Sequence, residues 1–279
     1  MEYGQPVRFG VFLTPDASQP SRLLELAGLA DDLGFELIGV QDHPYQRRFL
    51  DTWTLLTAIA MRTKTVKVFP DVANLPLRPP AIVAKAAATL DLLSGGRLEL
   101  GLGAGGAWDA IKAIGGPVRT PGESVAALEE AIQVIRLMWS GERAVRFDGK
   151  YYQLAGVHTG PAPAHPIGIW VGAYKPRMLS VVGRAADGWV PSLGYVQPAD
   201  LIEGNRRIDE AAAAAGRDPR SIRRILNAGA DVPVELFTSL TVEHGMDTYV
   251  IGGLEDPEAL RWFATDVIPA VREAVAKAR

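Results

Sequence analysis

The chain has 279 residues, of which 48% are hydrophobic and 22% charged, as is ordinary for a soluble globular protein. It contains no cysteine, which excludes disulfides, thiolate metal ligands and cysteine nucleophiles. The 29 Lys and Arg against 32 Asp and Glu give a net charge of −3, which argues against a strongly electrostatic nucleic-acid binder. Neither a signal-peptide pattern nor a run of about 18 apolar residues is present, so we expect a cytoplasmic protein without membrane contact.

Short apolar runs alternate with amphipathic segments along the chain. The runs predict eight strands, and the segments with apolar residues three or four positions apart predict a helix after each strand. The predicted strands are 8–13, 37–41, 66–69, 98–102, 169–171, 188–190, 224–226 and 248–251. The predicted helices are 21–33, 52–62, 80–93, 124–139, 176–185, 198–215, 234–244 and 256–277.

Eight strand–helix units with parallel strands need both faces of the sheet covered, and such units close into a barrel. We therefore predict an α/β fold, a single (β/α)8 TIM barrel that forms one domain over residues 1–279. The alternative is an open doubly wound sheet. Residues 143–154 break the alternation, because Asp148-Gly149 stands between two extended runs. This segment predicts a short hairpin and loop insertion between units four and five.

One pair of residues with proton-transfer chemistry follows the second strand. In a barrel of this kind the active site lies at the carboxyl ends of the strands, which is where Asp42 and His43 stand. A carboxylate beside an imidazole can orient the ring and keep it basic, as proton transfer near neutral pH requires. The alternative is a structural histidine that caps the next helix.

Three other strand ends carry candidate binding segments. Pro70-Asp71 suggests a bulge or strained turn that forms a ligand wall. Residues 101–106 match G-x-G-x-x-G but follow the fourth strand, so they predict close approach of a ligand or another strand and not a dinucleotide site. Residues 172–177 lead into a helix that begins at Pro176, where free amides and nearby Lys175 would favour a phosphate. The alternative for that segment is an ordinary exposed loop.

Metal binding is not expected from the sequence. The four histidines are scattered and show no close pair at the spacing of metal ligands. The chain also lacks the G-x-S-x-G elbow of serine hydrolases and the Walker sequence of nucleotide hydrolases.

Four segments in a fixed order carry a family resemblance. They are Val40-Gln41-Asp42-His43-Pro44, residues 77–97 ending in Ser94-Gly95-Gly96-Arg97, residues 100–105, and residues 172–173 with 183–189. Together they resemble the bacterial luciferase-like monooxygenase family, particularly its deazaflavin-dependent branch. The stretch with Ser-Gly-Gly-Arg is the most specific, and the chain after residue 220 resembles the family only loosely.

The resemblance implies a TIM barrel that holds a flavin-type ring at its carboxyl mouth and transfers a hydride to or from it. It implies coenzyme F420, a deazaflavin, because this chain has Asp-His where the FMN-binding branch more often has Glu-His; FMN is the alternative cofactor. The implied catalytic residues are His43 and Asp42, and no metal is implied. A non-proline cis peptide is implied at about Pro70-Asp71. The implied cofactor-binding residues are Asp42, Pro70, Asp71, Ala73, Ala104, Gly105, Asp109, Gly172, Ala173, Tyr174 and Lys175.

We therefore expect an oxidoreductase that transfers a hydride between F420 and a small organic substrate. The alternatives are an FMN-dependent monooxygenase that uses reduced flavin and O2, and a non-catalytic paralogue that only binds the cofactor. Some sugar-phosphate dehydrogenases of this branch use a Glu as proton donor, and this chain has Gly at about that position, Gly106, which argues against that substrate class. The family often dimerises, so we expect a homodimer whose interface uses apolar helices near the second strand.

Overall fold

The computed structural model describes residues 3–279. Its strands are β1 (Arg8–Leu13), β2 (Leu37–Val40), β3 (Lys67–Pro70), β4 (Ala73–Asn74), β5 (Leu100–Gly103), β6 (Val145–Asp148), β7 (Gln153–Val157), β8 (Ile169–Val171), β9 (Gly188–Trp189), β10 (Arg223–Gly229) and β11 (Thr248–Gly252). Its α-helices are α1 (Pro20–Asp32), α2 (Thr52–Arg62), α3 (Pro80–Ser94), α4 (Trp108–Ala113), α5 (Pro121–Trp139), α6 (Pro176–Ala185), α7 (Pro198–Ala214), α8 (Val234–Val242), α9 (Pro257–Trp262) and α10 (Ile268–Ala278).

Nine strands of residues 3–279 form one sheet in the order β3-β2-β1-β11-β10-β9-β8-β5-β4. All neighbouring strands of this sheet run parallel. A parallel bridge between Val68 of β3 and Leu98, two residues before β5, joins the two sides of the sheet. The sheet therefore closes, and the predicted (β/α)8 TIM barrel is confirmed over the open doubly wound alternative.

The predicted elements all appear, and the short elements β4 and α4 are added to them. The two-residue strand β4 and the six-residue helix α4 are too short to show a hydrophobic period, so the sequence does not reveal them. The helix predicted at 256–277 is divided by a π-helical segment at Phe263–Val267. The strand predicted at 224–226 is longer than its apolar run, because β10 continues through polar Asn227 to Gly229.

The segment between α5 and β8 contains an antiparallel hairpin of β6 and β7. The register pairs Asp148 with Gln153, so the turn comprises residues 149–152. Glu130 of α5 anchors this turn, because its carboxylate accepts the backbone N–H groups of Lys150 at 2.9 Å and Tyr151 at 2.8 Å. The hairpin is therefore fastened to the outer helix layer.

Large apolar side chains fill the lumen of the barrel. Inward-facing residues recur at every second position of a strand. Phe69 of β3 and Ile225 of β10 belong to the buried lumen cluster, and the next inward positions are Asp71 and Asn227. These two polar side chains meet inside the barrel, where the Asn227 amide donates to Asp71 at 3.2 Å. The lumen therefore changes from apolar to polar at the carboxyl ends of the strands.

The Ser-Gly-Gly-Arg stretch builds the opposite, amino-terminal face of the barrel. The Arg97 guanidinium donates to the backbone carbonyls of Ala60 at 2.6 Å, Val66 at 2.9 Å and Ser94 at 2.9 Å. It also donates to the Thr63 hydroxyl at 3.0 Å. The bonds to Ala60 and Ser94 satisfy carbonyls at the ends of α2 and α3 that have no partner within a helix. The most family-specific motif is therefore a structural clamp distant from the strand ends that carry the candidate site.

A second polar network lies at the same amino-terminal face. His165 Nδ1 lies 2.8 Å from a carboxylate oxygen of fully buried Asp91, and its Nε2 lies 3.6 Å from Glu99. Lys67 forms an ion pair with the same Glu99 oxygen. The two carboxylates, Glu99 first and then Asp91, raise the pKa of His165.

Every helix of residues 3–279 is too short or too polar to span a bilayer.

The network predicts a pH-dependent contribution of His165 to stability. Because its pKa is raised on folding, this contribution is complete below the unfolded value of about 6.5 and is lost as the pH rises through the folded value. We expect His165→Ala to lower the free energy of unfolding by about 1.5 kcal/mol at about pH 6 and by less at about pH 9. Urea unfolding at both pH values tests this, with exposed His158→Ala as the control. An equal loss at both pH values would contradict it.

Candidate functional site

The residues predicted for the site gather at one rim of the barrel. Because the strands are parallel, their carboxyl ends share one face. The predicted residues lie at or directly after the ends of β2, β3, β5 and β8, with Ala73 in the short strand β4. The structure therefore brings all of the predicted segments to the same end of the fold.

Asp42 is held by a bidentate ion pair. Its buried carboxylate accepts from the Arg78 guanidinium at 2.7 and 2.8 Å and from the Asn74 backbone N–H at 2.9 Å. Arg78 also binds Asp51, the N-cap residue of α2, at 2.6 Å. Within residues 3–279 the Asp42 side chain makes no hydrogen bond other than those with Arg78 and Asn74. The expectation that Asp42 orients His43 directly is therefore wrong, because a planar guanidinium fork takes both carboxylate oxygens.

The His43 ring instead stacks on Tyr45. The ring centroids lie 5.4 Å apart with an interplanar angle of 17°. Burial lowers the pKa of His43, and the nearby charge of Asp42 only partly opposes this. The imidazole is therefore neutral at neutral pH. A neutral imidazole has one ring nitrogen that can accept a proton.

The segment after β3 lies against the end of β5. The peptide bond Asp71–Val72 is cis, one bond beyond the predicted position at Pro70-Asp71. A Cβ on Gly101 would lie 2.1 Å from the Pro70 carbonyl oxygen, and one on Gly103 would lie 2.8 Å from a Val72 methyl. Of the two interpretations of the glycine loop, the close approach of another strand therefore accounts for these glycines.

Asp71 is a buried carboxyl of the mouth that no positively charged side chain of residues 3–279 compensates. Its side chain is 8% exposed, and burial raises its pKa to about 7, against a hydrogen bond from Asn227 that lowers it. That bond engages one carboxylate oxygen, and the second oxygen has no hydrogen-bond partner. The Asn227 amide also contacts the Ser192 hydroxyl at 3.3 Å, and its own carbonyl oxygen is likewise without a partner.

Asp71 and Asn227 form the polar floor of the mouth, and Ala73 and Asn74 connect this floor to strand β5. Ala73 is fully buried and pairs with Leu102, and Asn74 pairs with Gly103. The Asn74 backbone N–H binds Asp42, and its buried side-chain oxygen has no hydrogen-bond partner. Asn74 therefore ties the Asp42 ion pair to the β5 strand end.

The glycine loop after β5 leads into the short helix α4. Gly105 has a φ of 94°, and a Cβ there would lie 2.7 Å from Pro76 and 2.9 Å from the Trp108 ring. Trp108 therefore packs over Gly105 at the start of α4. Ala104 is half-buried, and Asp109 is exposed in the first turn of α4.

The loop before α6 has the features of an anion site. Lys175 is the N-cap residue and supplies no side-chain cap, so the first-turn N–H groups keep their capacity to bind a ligand. The Trp189 indole donates to the Ala173 carbonyl at 2.9 Å and fixes the loop. Burial raises the pKa of Tyr174, and the negative charge of Asp71 also raises it. Gly172 continues β8, where its N–H donates to Leu102 at 3.2 Å.

These features fit a flavin-type cofactor with a phosphate tail better than a metal ion. The floor carries buried polar atoms without protein partners, and the loop before α6 offers amides beside a lysine. Within residues 3–279 there is no group of three or more His, Asp or Glu side chains that could hold a metal.

Sequence reasoning did not assign roles to Arg78, Asn74, Ser192 or Asn227. Asn227 could have been found by continuing the inward period of two from Ile225, but its polarity ended the predicted strand early. Arg78 stands inside a segment that carries the family resemblance, yet its partner Asp42 lies 36 residues away in sequence and no local pattern pairs them.

Comparison with known proteins gives a consistent family. The family model described as luciferase-like monooxygenase matches residues 1–231. The chain is 29% identical over 273 residues to 5,10-methylenetetrahydromethanopterin reductase of Archaeoglobus fulgidus, which covers 96% of this chain and 78% of that protein. It is 33% identical over 200 residues to F420-dependent glucose-6-phosphate dehydrogenase of Kineococcus radiotolerans, which covers 69% of this chain and 58% of that protein.

Solved structures share the fold at low identity. The structure titled F420-dependent secondary alcohol dehydrogenase in complex with an F420-acetone adduct matches with a TM-score of 0.82 and 21% identity, covering 95% of this chain and 99% of that chain. A coenzyme F420-dependent tetrahydromethanopterin reductase from Methanopyrus kandleri matches with a TM-score of 0.79 and 22% identity, covering 95% and 99%. These similarities extend the barrel assignment over nearly the whole chain.

Proposed function

Because the chain belongs to the luciferase-like monooxygenase family, we propose that it is an oxidoreductase that uses coenzyme F420 on a small organic substrate at the carboxyl mouth of the barrel. The relatives named F420-dependent reductase or dehydrogenase support the choice of cofactor. The observation that carries the proposal is the floor of the mouth. Buried oxygens of Asp71, Asn74 and Asn227 lack protein partners there, and the uncapped start of α6 follows the same rim.

The cofactor would be held by two groups of residues. The loop of residues 172–175 would bind its phosphate through the free amides at the start of α6 and the charge of Lys175, while the Gly172 N–H stays bonded to Leu102. Asp42, the segment from Pro70 to Ala73, and the glycine-loop residues Ala104, Gly105 and Asp109 would border the ring. The bidentate ion pair with Arg78 would hold Asp42 in place beside the ring.

F420, when bound, supplies a ring that accepts or gives a hydride. The chain's own contribution to the reaction would be proton transfer by His43. When a substrate alcohol loses a hydride from carbon, its O–H bond must also break, and neutral His43 would accept that proton. In the reverse direction, protonated His43 would return it. Asp42 would act on His43 through its charge and not through a hydrogen bond.

A second candidate is an FMN-dependent monooxygenase, since the phosphate loop would serve either cofactor. Fluorescence titration of the protein with F420 and with FMN separates the two. We expect micromolar binding of F420 and at least tenfold weaker binding of FMN. Preference for FMN, with oxygen uptake in the presence of reduced flavin, would instead support the monooxygenase. Binding of neither would contradict both.

The role of His43 predicts a separation between binding and turnover. We expect His43→Ala to lower kcat by about 100-fold or more, because a general base contributes on this scale. The dissociation constant of F420 should change by less than about threefold. For alcohol oxidation, the wild-type rate should rise with pH as His43 loses its proton at a value below about 6.5, and the variant should lack this limb. Exposed His158→Ala is the matched control, and unchanged turnover in His43→Ala would remove His43 from the mechanism.

The chain is also proposed to form a homodimer through α2 and α3. Met61, Ile82 and Leu93 are 51%, 65% and 58% exposed on these neighbouring helices, and burying them against a second copy would remove apolar surface from water. Sedimentation should show a dimer, and Ile82→Glu combined with Leu93→Glu should give a monomer. A wild-type monomer at micromolar concentration would contradict the proposal.

A further inference from the structure

We propose that the charge state of Asp71 controls the reaction. Its carboxyl on the floor of the mouth must be neutral for the site to hold the negative charge that a hydride brings. This inference rests on the proposed function, because it concerns the reduced form of the cofactor. Asp71 would then do more than border the ring. The affinity for the reduced cofactor would depend on whether the Asp71 carboxyl carries a proton.

The first step of the argument is the isolation of the Asp71 carboxyl. It is 8% exposed, one oxygen accepts a 3.2 Å hydrogen bond from Asn227, and the other oxygen has no partner. No ion pair of residues 3–279 includes it, in contrast to Asp42, which binds Arg78 on both oxygens. An uncompensated buried carboxylate takes up a proton more readily than one in water. Its pKa of about 7 leaves a large neutral fraction at physiological pH.

The second step is the set of groups that face Asp71 from the surrounding elements. Gly39 of β2 lies beside the free oxygen, since a Cβ there would come within 3.1 Å of it. Asn227 contacts Asp71 from β10 and reaches Ser192 after β9 at 3.3 Å. From the loop after β8, Tyr174 faces the carboxyl, and the negative charge of Asp71 helps to raise the pKa of its hydroxyl. No lysine, arginine or histidine among the described residues pairs with the carboxyl.

The third step is the fit between a neutral Asp71 and Asn227. The ionised carboxylate accepts from the Asn227 amide, and the Asn227 carbonyl oxygen then has no donor. A protonated Asp71 can donate its O–H to that oxygen after rotation of the carboxamide. The pair therefore offers a hydrogen bond in either protonation state, so the carboxyl can be neutralised without a loss of partners.

The fourth step is charge balance. A hydride is a proton with two electrons, so the acceptor gains one negative charge unless a proton is taken up at the same time. Two like charges in a water-poor site repel strongly. A neutral Asp71 leaves the floor able to accept that charge, whereas an ionised Asp71 opposes it. By linkage, the reduced cofactor and the proton on Asp71 favour each other.

One arm of the test needs no cofactor. Because folding raises the pKa of Asp71 from about 3.8 to about 7, the wild type loses stability as the pH rises through this window. Asp71→Asn keeps the shape and cannot ionise. Its Tm relative to the wild type should therefore increase by about 5 °C between about pH 4.5 and pH 8. Asp16→Asn, which removes a more exposed carboxylate after β1, should show no such increase. If the Tm difference between Asp71→Asn and the wild type does not change with pH, the raised pKa of Asp71 and with it the proposal are overturned.

The second arm measures binding of reduced F420 by tryptophan fluorescence between about pH 6 and pH 9. We expect the wild-type dissociation constant to rise up to about tenfold per pH unit above about pH 7, since one proton is taken up on binding. The Asp71→Asn constant should vary by less than about threefold, and Asp16→Asn should follow the wild type. Tight binding with the same pH dependence in Asp71→Asn overturns this inference alone. Absence of F420 binding in the wild type overturns the proposed function together with it.

Discussion

Closure of the parallel sheet decides where polar groups can stand in this molecule. Once Val68 pairs with Leu98 and the barrel is closed, every second side chain of a strand points into a lumen that only apolar residues can fill cheaply. Polar inward positions are tolerated at the two ends of the lumen, and Asp71 and Asn227 occupy its carboxyl end, each two residues beyond a buried apolar residue. The chemistry of the mouth therefore follows from the register of β3 and β10 in the closed sheet.

Two carboxylates of that mouth have opposite environments. Asp42 is buried but receives a guanidinium fork and a backbone N–H, so its negative charge is compensated. Asp71 is buried and receives one carboxamide, so its ionised form is disfavoured. A site with one compensated and one uncompensated carboxyl can carry both a fixed charge and an exchangeable proton. Arg78 creates this difference by binding only one of them.

The sequence was sufficient for the barrel because each strand–helix unit repeats the same local pattern. It was sufficient for the rim as well, since strand ends are visible wherever an apolar run stops. It could not reveal the Asp42–Arg78 pair, which joins the end of β2 to a segment 36 residues later. Nor could it reveal that Asp42 hydrogen-bonds to Arg78 and Asn74 and not to its neighbour His43, since adjacency along the chain does not fix side-chain contacts. The sequence predicts a β10 that is too short, because polar residues usually indicate a loop, whereas polar Asn227 lies within the strand and faces the mouth.

The segment most specific to the family and the candidate site lie at opposite faces of the barrel. Arg97 satisfies carbonyls near the amino ends of the strands, where its bonds hold α2 and α3 in place. This separation follows from the architecture, in which one face supplies stability and the other carries the loops that can vary. Residues of these mouth loops, such as Asp71 after β3 and Gly106 in the open loop after β5, are therefore where we expect substrate choice and proton handling to be set. In the proposed mechanism the lowered pKa of His43 and the raised pKa of Asp71 would together allow proton transfer at neutral pH.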